Sequence, residues 1–516
     1  MPAIILALFL IQVTSFAQDN DRVTGIVFFD VNANGIIDEN ESGIADVIVS
    51  NQLEAVKTDS KGRYSLPVSD RTLIFVSKPS AYEVPLDENN LPRFYYIHQP
   101  EGSPEGLDYE GISATGALPK SLDFALIASE QKNEFNVIVT GDPQPYTAEQ
   151  VSYYLNDVLT EMFDYNADFY LALGDIVQDD LNLYAQLNEG VSHLEIPAYN
   201  VIGNHDMNLK AESNRFKAET FRRVFGPEYY SFNRGKVHFL VLNSIQYDGW
   251  NKEEDKQGRY FGGFGDRQLE WMANDLKFVP DDYLLVIITH IPILEGPMKK
   301  ETIEKVFDIF KNRKHLLALA GHQHKIENGN YGAEEHWIQP VHFPYLVAGA
   351  ACGSWWSKVK DERGIPLAVA QDGTPNGFFV FNFKDNTYSF KFHPANHNPD
   401  FQMRISAPRG EISLDSLGSE EIIVNVFAGN PDDKVTYQLD DSPPVRMTNQ
   451  TMTDPLVVEF FNAYSDIDDW VKPKESSHIW TAKMPSDIEE GSHILKITTT
   501  DMFNNEFFAY QIFEIK

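Results

Sequence analysis

From residue 134 onward the chain repeats one pattern. A short, almost wholly apolar run ends in glycine, aspartate or histidine, and a helical pattern follows. The runs are Asn136–Thr140, Asp168–Leu173, Ala198–Ile202, Asp282–Ile288 and His315–Leu319. Strands apolar on both faces must be buried on both faces, which requires helices outside a sheet. The intervening segments supply them. Thr147-Ala-Glu-Gln150 reads as a capping box opening a helix through about Phe163, and helical patterns recur near 266–278 and 299–312. This region, residues 134–395, is therefore read as an α/β domain.

The flanks read differently. Val23–Phe29, Ala45–Ser50 and Arg71–Val76 are short strand-like runs separated by turn residues such as Asp59-Ser-Lys-Gly62. Residues 80 to 125 are rich in Pro, Gly and Tyr without clear period and read as a connector packed on a neighbouring domain. Residues 22–125 are thus a β-sandwich module plus connector. Residues 400–516, with Glu421–Phe427 and His493–Thr498, form a second β-sandwich. A length of 516 residues accommodates this three-part division at roughly 150 residues per domain.

Residues 1–17 are an apolar run ending in Ser15-Phe16-Ala17, followed by polar residues. That is the pattern of a cleaved signal peptide, so the protein is expected to be periplasmic or secreted. No cysteine follows the run, so it is not a lipoprotein, and no later stretch suits a transmembrane span. Cys352 is the sole cysteine, which excludes an intrachain disulfide; it reads as a buried, inert thiol. The net charge is −34, which excludes nucleic-acid binding over the surface. A small anion then needs a local centre of positive charge. No protein partner is inferable from these features.

The strand ends supply such a centre. They carry Asp142 and Gln144, Asp175, Asn204 with His205 and Asp206, His290, and His322 with His324. Open α/β sheets place their sites at carboxyl strand ends. Glycine precedes most of these groups and allows close approach. Oxygen and imidazole donors without thiolates suit Zn, Mn or Fe.

The order D-x-[H/Q], GD, GNH[D/E], H, GHxH over 134–395 resembles the calcineurin-like metallophosphoesterase superfamily. With the flanking β-modules, and with Arg222–Phe232 leading into Val237–Val241, it resembles the exported bacterial type. The resemblance implies a four-layer α/β/β/α sandwich. It implies one divalent ion on Asp142, Gln144 and His324, a second on Asn204, His290 and His322, and Asp175 bridging both. It also implies attack by a metal-bridging hydroxide on a small phosphomonoester or phosphodiester. His205 would protonate the leaving oxygen or bind a phosphoryl oxygen, with Asp206 orienting it. Gln144 stands where many members carry histidine, which leaves the first metal's identity open. Gln178 stands where purple acid phosphatases carry a tyrosine ligand, so no tyrosine–iron colour is expected. The alternative is a cell-surface or binding protein whose core is degenerate.

Two further sets stand out. Asp30, Asn32, Asn34, Gly35, Ile36, Asp38 and Glu41 match the calcium-loop pattern D-x-[DN]-x-[DN]-G-x5-E between strands. The other reading of that segment is a metal-free turn. Arg222, Arg223, Trp355 and Asp372 are candidates to line the substrate pocket; ion pairing for the arginines and ordinary turn or core roles for the others fit equally well.

Overall fold

A computed structural model describes residues 22–295, 298, 300–356, 359–463 and 471–516. The leader reading for residues 1–17 lies outside the described residues.

Two sheets form the centre of the molecule. One has five strands in the order Ala198–Asn200, Phe169–Ala172, Glu134–Thr140, Gly377–Lys384 and Thr387–Pro394. The other has six, in the order Tyr230–Arg234, Val237–Val241, Leu284–Ile288, Leu316–Ala320, Phe343–Ala348 and Ile326–Tyr331. The first three strands of the smaller sheet are parallel to one another, as are the four inner strands of the larger.

Side chains alternate across a strand, and here the alternation divides two cores. Val137, Val139 and Leu171 face inward and join Phe239, Val241 and Val286 of the larger sheet. Ile138 and Tyr170 face outward and meet Val151, Tyr154, Val158 and Leu187 of the covering helices. Helices Asp266–Leu276 and Lys300–Phe310 flank the larger sheet; Phe307 and Phe310 pack on Phe343. The fold is the expected α/β/β/α sandwich with β-modules on both flanks.

The first helix starts as its sequence requires. Thr147 accepts a hydrogen bond from the Gln150 amide at 3.2 Å. The reciprocal bond of a capping box goes one residue further out, from the Tyr146 amide to Gln150 Oε1. The helix then passes through a π-helical turn at Leu155–Leu159, where the Thr160 hydroxyl donates to the Leu155 carbonyl.

The N-terminal module is two four-stranded sheets. The segment read as a connector is not one. Tyr82–Glu83, Tyr95–His98 and Phe124–Ala128 each add a strand to these sheets. They are short, and two of them are only half-buried, so they leave little periodic signal. The C-terminal module pairs a four-stranded and a five-stranded sheet around Val424, Trp480 and Ile497. Among the described residues no helix is long and apolar enough to cross a membrane.

Candidate metal centre

The strand ends gather the expected ligands in one buried place. Asp175, His290 and His322 bring a donor atom each to within 4.8 Å of one another. His290 Nε2 lies 3.2 Å from Asp175 Oδ2, 4.0 Å from Asp142 Oδ1 and 3.1 Å from Asn204 Oδ1. His324 Nε2 lies 3.8 Å from Asp142 Oδ1. Gln144 Nε2 donates to Asp175 Oδ2 at 3.3 Å.

The histidines are oriented as ligands are. His290 Nδ1 faces the Leu173 carbonyl and His324 Nδ1 faces the Gly353 carbonyl, each at 2.8 Å. A carbonyl can only accept, so each Nδ1 carries a proton and each Nε2 is the nitrogen turned toward the carboxylates, the one a metal would take. Burial, reinforced by the neighbouring histidine His290, pulls His322 down to about 3. Burial pulls His324 down to about 4. Both are thus neutral donors. Burial also pulls on His290, but Asp175 and then Asp142 outweigh it and hold His290 up at about 10. Burial pushes Asp142 up to about 8, with Asp175 adding repulsion. His290 and His205 hold Asp175 low, but the buried Asp142 is left short of positive charge, which divalent ions at the site would supply. The donor set fits that role.

The backbone shows what the arrangement costs. Asp142, Gln144, Asp175, His322 and His324 all have left-handed φ, between 40° and 74°. Such φ values are uncommon outside glycine, though asparagine, aspartate and histidine tolerate them best, and each strained position costs on the order of 1–3 kcal/mol. Five of seven expected ligands share that conformation. Glycines hold the ligands close. A Cβ on Gly174 would sit 2.6 Å from His290 Nδ1, and one on Gly321 would sit 2.6 Å from Asp142 Oδ2.

His205 and Asp206 separate. Asp206 does not orient His205. Its carboxylate accepts from the amides of Gly203 at 2.7 Å and Ile176 at 3.1 Å, and from the Tyr184 hydroxyl at 2.9 Å. The aspartate next in sequence to the histidine is thus turned back to brace two strand ends. The group that holds His205 is Asp179, whose Oδ1 lies 2.8 Å from Nδ1. Burial opposes protonation of His205, but Asp175 and Asp179 outweigh it and raise it to about 9.

Of the proposed pocket residues, Trp355 alone is at the centre. It stacks on His324 at 4.2 Å between ring centres and donates to Gln178 Oε1 at 2.6 Å. Asp372 is buried elsewhere, accepting from the Ile326 and Thr374 amides and facing His478. Arg222 is paired with Glu228 and Glu219, and Arg223 donates to the Glu110 carbonyl, both at the seam with the N-terminal module. No motif or spacing singles out Glu295, Tyr260 or Lys474, yet the fold brings all three here. Glu295 Oε1 lies 3.9 Å from His322 Nε2. The Tyr260 ring approaches that of His322 edge-on at 6.3 Å. Lys474, from the C-terminal module, donates to the Gln323 carbonyl between the two histidines at 3.1 Å. Cys352 is buried as expected, and burial pushes its thiol far up.

In the Asp30–Glu41 loop the carboxylates are occupied by the loop itself. Asp30 accepts from the Asn34 and Gly35 amides, Glu41 from those of Val31 and Asp38, and Asp38 from the side-chain amides of Asn32 and Asn34. The Ile36 amide donates to Asn34 Oδ1.

Comparison with known proteins agrees with this architecture. Three family models match in chain order: the N terminal of calcineurin-like phosphoesterase over residues 31–112, calcineurin-like phosphoesterase over 135–326, and the C terminal of calcineurin-like phosphoesterase over 346–507. The chain is 28% identical over 167 residues to a protein named probable glycerophosphodiester phosphodiesterase from Arcobacter nitrofigilis, covering 31% of this chain and 57% of that one. It is 30% identical over 149 residues to a human serine/threonine-protein phosphatase, covering 26% and 44%. A purple acid phosphatase structure from yellow lupin seeds superposes with a TM-score of 0.37 at 12% identity, covering 73% of this chain and 67% of that one. The chain spans about half the length of the curated relatives it matches. With its flanking modules and its ligand-bearing core matched in order, this chain belongs to the calcineurin-like phosphoesterases.

Proposed function

We propose that the protein hydrolyses a small phosphorylated substrate, a phosphomonoester or phosphodiester, at the strand-end cluster. The observation that carries this reading is the convergence of seven expected ligands, five of them in strained backbone conformations, in one buried site. Asp142, Gln144 and His324 would hold one divalent ion, Asn204, His290 and His322 another, and Asp175 both. Bound Mn, Zn or Fe would supply Lewis acidity and lower the pKa of water at the site.

The chain's own groups do the rest. His205 Nδ1 is fixed by Asp179, which leaves Nε2 as the nitrogen that gives its proton to the leaving oxygen. Trp355 and Tyr260 flank the histidines and shape the entrance. Lys474 adds positive charge at the rim of a strongly acidic protein. Export to the periplasm or beyond is part of the proposal, supported by the leader sequence; a mature amino terminus at Gln18 by mass spectrometry tests it. Calcium in the Asp30–Glu41 loop is supported by its spacing alone; isothermal titration of the full chain with calcium tests it.

The decisive experiment assays the purified protein against phosphomonoesters, phosphodiesters and nucleotides with Mn, Zn and Fe added separately. Asp175→Ala should lower turnover by on the order of a thousandfold or more. A folded Asp175→Ala protein with undiminished activity would refute the reading. A folded wild type inactive with every metal would favour the degenerate binding protein.

A further inference from the structure

Away from the metal centre, a cleft of about 400 Å³ lies between the N-terminal module and the catalytic core. Arg71, Arg215, Lys217, Arg222, Arg267 and Glu228 line it, and none of the seven strand-end ligands does. Its charge runs against that of the whole protein. Arg222 pairs with Glu228, and Arg71 pairs with the buried Glu219. Arg215, Lys217 and Arg267 have no carboxylate partner among the described residues. Lys217 donates instead to Asn214 Oδ1 and the Ile245 carbonyl, and Arg267 to the Asn51 carbonyl. The cleft thus sets five basic side chains against two carboxylates, Glu228 and Glu219, inside a chain of net charge −34.

The cations are held together rather than spread out. Arg71 and Arg215 both lie over the Phe216 ring, at 4.7 and 5.5 Å from its centre. Arg71 Nη1 is buried and has no hydrogen-bond partner among the described residues. Buried side-chain donors are normally hydrogen-bonded, so this nitrogen is free to meet a ligand. Burial pulls Lys217 down to about 7; Glu228 opposes this and Arg222 adds to it. Burial, reinforced by Arg222, pulls Arg71 down to about 10.

The cleft has a mouth and a floor. Asn214, Arg215 and Arg267 are exposed, while Lys217, Glu228 and Gln99 are buried. Leu73, Ile97 and Tyr229 add an apolar wall, and Asn243 and Gln246 offer amides. The volume suits a small molecule rather than a bare ion.

We propose that this cleft is a second anion site, distinct from the metal centre, that takes the phosphate group of a small phosphorylated organic molecule. Arg71 Nη1 and Lys217 would meet the phosphate, and the exposed arginines would guide it in. Inorganic phosphate shares the chemistry, so the test uses both.

The full chain is titrated calorimetrically with AMP and with inorganic phosphate, alongside Arg215→Gln/Arg267→Gln and Asp175→Asn variants. Both arginines are exposed, and unchanged aryl phosphate turnover in the double variant reports that it is folded. The expected result is a saturable binding event weakened at least tenfold in the double arginine variant. Turnover of an aryl phosphate stays unchanged in that variant, and the binding event survives in Asp175→Asn. Tighter binding of AMP than of phosphate supports the organic ligand, while phosphate binding without AMP binding overturns that half. Equal affinity in the double arginine variant, loss of the event in Asp175→Asn, or no saturable binding at millimolar ligand would overturn the site. Failure of the metal-centre reading would show in turnover alone.

Discussion

The two β-modules look alike in sequence but join the catalytic domain in different ways. The N-terminal module shares its core. Phe75 meets Trp271 at 6.0 Å, Phe94 meets Tyr230 at 5.1 Å, and Lys78 forms a ladder bridge with Phe232. Val27, Leu66 and Phe75 belong to the same apolar cluster as the facing sheets of the sandwich. The C-terminal module has its own cluster around Trp480. Its seam is mainly hydrogen-bonded, with less apolar sharing: Arg404 donates to the Gly373 carbonyl, Asn425 to the Asp372 carbonyl, and Asn430 to Asn328, while among the described residues Phe427 is the one buried side chain of the module that joins the main cluster, packing on Phe392, and Phe390 meets Phe503. Shared apolar burial makes one cooperative unit, whereas a polar seam leaves two.

Deletion separates the two cases most sharply. Removing residues 22–128 bares Trp271, Tyr230 and Phe232, so the remainder is expected to be insoluble or unfolded. Removing 403–516 leaves both central sheets intact, so that remainder is expected to stay folded, with altered catalysis through loss of Lys474. Expression and circular dichroism of the two truncations decide it. A folded protein lacking 22–128 would show that the N-terminal module, too, is a separate unit.

Single core substitutions sharpen it. Phe75→Ala and Trp480→Ala each remove a fully buried aromatic and should cost about 3–5 kcal/mol. The first should lower the main unfolding transition and turnover together. The second should lower a separate transition and leave turnover nearly untouched. Calorimetry showing one common transition for Trp480→Ala would mean the polar seam couples as strongly as the shared core.

The seam itself has a hinge of charge. His478 Nε2 lies 3.2 Å from Asp372 Oδ2, and His478 Nδ1 lies 2.9 Å from Asn425 Oδ1. Burial would push Asp372 up, but the His478 contact and the Thr374 and Ile326 amides hold it below its usual value of 3.8. A depressed carboxylate stabilises fully above 3.8 and loses that contribution as pH falls through its folded value. His478→Ala should therefore cost about 1–3 kcal/mol at pH 7 and weaken docking of the C-terminal module. Limited proteolysis should release the module faster. Unchanged protection would show that the aromatic contacts of Phe427 and Phe503 alone hold it.

The metal centre is legible because its chemistry and its fold signal are the same residues. An apolar run ending in Gly-Asp or Gly-His announces both a buried strand and a ligand at its end. What is misread depends on groups distant in sequence or pointing away from their neighbours. Asp206 adjoins His205 but turns back to the Gly203 and Ile176 amides, while Asp179 reaches the imidazole from another loop. Asp372 sits in a glycine-rich turn that suggests a pocket, yet its partner His478 lies in another module. Tyr95–His98 is half-buried and irregular in pattern, so its pairing with Thr72–Ser77 leaves no periodic trace. Arg222 reads as a phosphate-binding candidate, but nothing in the sequence shows that Arg71 would be brought beside it.

The smallest expected effect concerns Asp433, on the C-terminal side of the polar seam beside Asn430. Its Oδ2 accepts from the Asn430 amide at 2.9 Å, while Oδ1 is buried without a hydrogen-bond partner among the described residues. Burial, with repulsion from Asp501 adding to it, pushes this carboxyl up to about 7. A carboxyl raised above its unfolded value of 3.8 binds a proton more tightly in the folded protein. Stability should therefore fall as pH rises from about 4 to about 7, and the full penalty should persist above that. The substitution Asp433→Asn keeps an acceptor for the Asn430 amide while removing the charge. It should thus raise the transition of the C-terminal module by about 1 kcal/mol at pH 8 and change little at pH 4. The main transition should not move at either pH. A shift of both transitions together would show that the C-terminal seam transmits stability between the modules as the shared N-terminal core does.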